Sequence, residues 1–201
     1  MLPNPPRREM GPREALAKST KDFLEVVWPA VASSVGGGSI IPIEQLPDAF
    51  SKLLDRGCGV DFFQQVDSER IRGIASRVQW VKEDCWQSFT IREWRHGETR
   101  TELAKRTDAI NANDGRLLPH LTIQAYLTDA RQLLSVGVVE TRLLIPKCHE
   151  ALSKKDDYSF RRCGGLRSVG SFERMVWVKW DWLNSTGCPV AVTQLSQAGA
   201  A

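Results

Sequence analysis

The chain has 201 residues, 42% hydrophobic and 25% charged, which suits one domain and excludes wholesale disorder, collagen and a heptad rod. No run approaches the ~18 apolar residues of a membrane span. The formal charge of +3, from 27 basic against 24 acidic residues, is too mild to require a nucleic-acid partner. The basic residues are 18 Arg and 9 Lys. Arginine suits phosphate recognition, although a GC-rich genome gives the same bias.

The spacing divides the chain into a flexible N-terminal arm (1–17), a single α/β domain (18–185) and a loose C-terminal tail (186–201). The N-terminus, Met1 to Arg13, is rich in Pro and Arg without an apolar core, so it does not read as a signal peptide. Helical spacing of Phe23, Val26, Val27, Ala30 and Val31 predicts a helix over about 20–34, kinked or split by Pro29. Gly36-Gly37-Gly38 then reads as a flexible joint. A second helix follows over about 47–56, with Leu46, Phe50, Leu53 and Leu54 as its apolar stripe.

Residues 60–66, 71–80 and 88–95 read as three strands. In the second, Ile74, Val78 and Trp80 share one face, and Ala75, Arg77 and Gln79 the other. A helix capped by Thr99 or Thr101 runs to about Asn111. Leu121, Ile123, Ala125 and Leu127 alternate with Thr122, Gln124 and Tyr126 in a fourth strand, and 133–139 is a buried strand. Residues 141–153 look helical, disturbed at Pro146. Residues 174–183 alternate as a last strand, with Val176, Val178, Trp180 and Trp182 on one face. The expectation is a mixed α/β (α+β) fold, with a single central mixed sheet flanked by helices.

Cys58, Cys85, Cys148, Cys163 and Cys188 are odd in number and form no C-x-x-C pair. This argues against a disulfide framework or zinc knuckle and fits reduced thiols in a cytoplasmic protein. Arg95-His96-Gly97-Glu98-Thr99 is similar to the histidine-phosphatase signature. It stands mid-chain, however, and neither His120 nor His149 lies in a His-Gly context, so a polar turn at a strand end accounts for it.

Asp61 lies in the apolar run Val60-Asp61-Phe62-Phe63, two strands before Arg92 and Glu93. The order of helix, three strands, helix, strand around it resembles the PD-(D/E)XK nuclease core. That resemblance implies a metal-dependent phosphodiester hydrolase acting on DNA or RNA. Asp61 would hold Mg²⁺, and Gln79 would stand at the Glu/Gln position. A metal ion polarises phosphate and lowers the pKa of water, and oxygen ligands suit Mg²⁺. The second strand carries no E-x-K. Alternatively Ala75 and Arg77 occupy the pair, where Arg77 would bind phosphate but serve poorly as a base. The alternative function is therefore a non-catalytic nucleic-acid- or protein-binding module on a degenerate fold of this kind. Arg92, Arg161, Arg162, Trp177 and Lys179 are the expected nucleic-acid contacts, because cations beside stacking aromatics hold single strands.

Overall fold

The computed structural model describes residues 11–81, 86–97, 100–112, 118–154, 162–169 and 172–194. In chain order the elements begin with α1 (Pro12–Asp22), α2 (Trp28–Val31), β1 (Ser39–Pro42), α3 (Asp48–Cys58), β2 (Phe62–Gln65) and β3 (Ile71–Trp80). They continue with β4 (Ser88–Arg95), α4 (Glu102–Ala112), β5 (Leu121–Leu127), β6 (Leu133–Glu140) and α5 (Thr141–Ser153). β7 (Gly164–Val169), β8 (Glu173–Lys179), α6 (Trp180–Ser185) and β9 (Ala191–Gln194) complete them. Among the described residues, no helix is long and apolar enough to cross a membrane.

Six strands form the central mixed sheet in the order β1-β2-β3-β5-β6-β9. Its neighbours are antiparallel except β3 and β5, which run parallel with Ile74 opposite Leu121 and Trp80 opposite Leu127. Parallel neighbours need a crossover. This one contains β4 and α4. The third of the expected strands therefore leaves the central sheet, and β4 pairs with β8 in a second sheet of order β4-β8-β7.

The alternation along β3 and β5 decides what covers each face. Ile74, Val78, Ile123, Ala125 and Leu127 pack with Phe23, Val27 and Val31 of the N-terminal helical segment. On the opposite side Tyr126 joins Phe89, Val176, Val178 and Trp180, uniting the small sheet with α5. Gly137 makes this closeness possible. A Cβ there would lie 2.6 Å from two carbons of the Trp180 ring.

The N-terminal helix differs from the sequence expectation in two ways. It begins at Pro12, within the expected arm, and Pro29 does not split it. A π-helical turn over Phe23–Val27 precedes the proline, and the Trp28 N–H reaches back to the Phe23 carbonyl. The wider turn accommodates a ring that cannot donate to the helical ladder. At its other end, Gly36, Gly37 and Gly38 all take left-handed φ values of 69° to 89°. The buried Gln64 amide clamps this turn by donating to the Val35 and Gly37 carbonyls at 3.1 and 2.7 Å. It is a bound turn rather than an open joint.

Two C-terminal expectations also change. The strand expected over 174–183 stops at Lys179, and Trp180 and Trp182 are buried on the six-residue helix α6. An alternation of three residues satisfies a strand or the start of a helix, and the Asp181 carboxylate accepting the Trp182 N–H at 2.7 Å favours the helix. Part of the expected tail forms β9, which pairs with β6 from Ser135 to Val138.

Candidate phosphate-binding cavity

β2 pairs with β3 only as far as Ile74. The second half of β3 thus has β5 on one side and an open flank on the other. Asp61, just before β2, covers the start of that flank: its backbone N–H donates to the Ile74 carbonyl, and its Oδ2 accepts the Ser76 N–H at 2.6 Å. Beyond it lies a cavity of about 650 Å³ between α1, β3 and α4. Its cationic side chains among the described residues are Arg77, Arg92, Arg95, Lys105 and Arg106, against the carboxylates of Asp61 and Glu102.

Strand alternation places Arg77 here, opposite the Ile74 and Val78 face. Arg92 comes from β4, and helical spacing brings Glu102, Lys105 and Arg106 from α4 to the same wall. Arg77 Nη2 donates to Glu102 Oε1 at 2.7 Å. Arg92 Nη1 lies 3.5 Å from the same oxygen, and the Arg92 N–H donates to Glu102 Oε2 at 3.3 Å. Arg92 also pairs with Glu173. Burial opposes the charge on Glu102, but Arg77, Arg106 and Arg92 outweigh it and hold the carboxyl at about 2. Glu102 is thus a fixed anion that spaces the guanidinium groups.

Two buried donors in this wall are unsatisfied by the described residues. Arg106 is 5% exposed, and its Nε has no hydrogen-bond partner. Gln124 is 1% exposed; its Oε1 accepts from the Thr90 N–H and hydroxyl, both at 3.1 Å, while its Nε2 has no partner. Both side chains belong to residues that line the cavity, and unmet buried donors are costly. The lining carries more cationic than anionic side chains, a local positive field that favours anions.

Both carboxylates of the cavity are engaged by protein donors. The Asp61 carboxylate already takes a backbone N–H, and Glu102 is held by arginines that repel a cation. No group of three His, Cys, Asp or Glu side chains among the described residues is placed to hold a metal ion.

Of the expected site residues, Asp61, Arg77 and Arg92 meet in this cavity. Gln79 and Trp177 line a neighbouring one of about 580 Å³, with Trp86, Tyr126, Arg167 and Met175. Lys179 has its Nζ 5.9 Å from the Trp177 ring centroid. Arg162 is exposed just before β7 and lines neither cavity. Arg161 lies outside the described residues. Arg95-His96-Gly97 is a turn at the end of β4, where the His96 N–H donates to the Phe172 carbonyl; Glu98 and Thr99 lie outside the described residues.

Sequence reasoning missed Glu102, Lys105, Arg106 and the role of Gln124. The available signal was the spacing of Glu102 and Arg106, which puts both on one helical face beside Leu103. No family model, curated protein or solved structure matches the chain.

Proposed function

We propose that this chain binds nucleic acid through its phosphates in the cavity between β3 and α4, as a binding module rather than a metal-dependent nuclease. The observation that carries the reading is the cavity lining, where Arg77, Arg92, Arg95, Lys105 and the buried Arg106 outnumber the carboxylates of Asp61 and Glu102. A phosphodiester meets that charge, and arginine forks suit its geometry. The engagement of Asp61 and Glu102 supports binding over hydrolysis.

The test is fluorescence anisotropy with labelled oligonucleotides at several salt concentrations. Wild type binds, and Arg106→Gln weakens binding about tenfold and flattens the single-strand salt slope by about 0.7. Incubation with Mg²⁺ or Mn²⁺ leaves the oligonucleotides intact. Metal-dependent cleavage that is abolished by EDTA and lost in Asp61→Ala would replace the binding reading with the nuclease one.

A further inference from the structure

The second cavity lies against the first, and the register of the small sheet explains its shape. On one face of that sheet Thr90, Trp177 and Gly165 form one cross-strand row, and Arg92, Met175 and Arg167 the next. Gly165 carries no side chain, so β7 contributes only backbone to that row. Trp86, 47% exposed, lines the cavity together with Arg167, whose guanidinium carbon lies 4.5 Å from the Trp86 ring centroid. Thr90 belongs to the walls of both cavities. Arg77, from the basic cavity, reaches the Met175 sulfur at 3.9 Å, and Gln79 reaches the Thr90 hydroxyl at 3.5 Å.

We infer that this aromatic cavity receives an unstacked nucleobase of the strand whose phosphate occupies the arginine cavity, so that the preferred ligand is single-stranded. The inference rests on the phosphate reading above. Its separate support is the chemistry of the walls. Two tryptophans and a methionine give a base an apolar seat, while Gln79 and Ser168 offer polar atoms to its edge. A duplex keeps its bases paired and stacked and exposes their edges but not their faces, so it can fill the first cavity and not the second. Continuity through Thr90 and Arg77 places the two subsites side by side, as the alternation of phosphate and base along one strand demands.

The experiment compares three fluorescent ligands of equal length: a thymidine oligonucleotide, an abasic oligonucleotide with the same phosphates, and a duplex. Wild type binds the thymidine strand about tenfold more tightly than the abasic strand, and the duplex no better than the abasic strand. Trp86→Ala, at a half-exposed position, loses about tenfold for the thymidine strand and nothing for the abasic one. Trp177→Leu, with its fold checked by circular dichroism, repeats that pattern. Equal binding of thymidine and abasic strands by wild type overturns the base subsite and leaves the phosphate reading standing. So does an equal loss for both ligands in Trp86→Ala. Failure of wild type to bind any of the three overturns both readings.

Discussion

Glu102→Gln tests the electrostatic construction of the cavity. The replacement keeps the shape of the side chain and removes the anion that Arg77, Arg92 and Arg106 surround. Glutamate normally titrates at 4.5, and here its carboxyl is held at about 2. At about 1.36 kcal/mol per pH unit, that difference is worth at most about 3 kcal/mol of stability at neutral pH. The folded pKa is depressed, so the contribution is complete above about pH 4.5 and disappears as pH falls through about 2. Urea unfolding of wild type and Glu102→Gln should differ by about 2–3 kcal/mol at about pH 7. The difference should narrow by at least about 1 kcal/mol on going to about pH 3.5. Equal stability at neutral pH, or a difference unchanged over that interval, would refute the view that Glu102 is an ionised hub.

Three further outcomes follow from the packing. Gly137→Ala should destabilise the fold by about 1–3 kcal/mol in urea, because the new methyl meets the Trp180 ring where no void exists; an unchanged midpoint would contradict that contact. Asp61→Ala should cost about 1–2 kcal/mol and speed hydrogen exchange at the Ser76 amide, which loses its acceptor; an unaltered exchange rate would contradict that bond. Cys58, Cys148, Cys163 and Cys188 are buried, and burial pushes the Cys148 thiol up to about 12, so peptide mapping after mild alkylation should find these four unmodified until the protein is unfolded. Rapid native labelling of Cys148 would contradict its burial.

The parts of this fold legible in the sequence are those fixed by short-range periodicity. The two faces of β3 and β5 were readable because Ile74 and Val78 alternate with Arg77 and Gln79, and Ile123 and Ala125 with Gln124 and Tyr126. Helix α5 was readable through its Pro146 because its other apolar positions keep helical spacing. The departure of β4 into a second sheet was not readable. Its partner β8 lies some eighty residues away, and local alternation does not name a partner. The site inherits the same limit. Arg77 and Arg92 stood out as cations on strands, whereas Arg106 looks like one charge among several on an exposed helix until α4 is seen packed along β4. Gln124 reads as an ordinary polar strand residue until Thr90 is placed opposite it.

In the proposed complex the buried Arg106 guanidinium receives a phosphate of a nucleic-acid strand. The most direct measurement is the arginine Nε–H region of a ¹⁵N-correlated NMR spectrum, with the Arg106 signal assigned by its loss in Arg106→Lys. On titration with a single-stranded oligonucleotide, that signal should move and saturate at the same concentration that saturates the anisotropy. An Arg106 signal that stays in place while the oligonucleotide is fully bound would contradict the claim and locate the binding elsewhere on the protein.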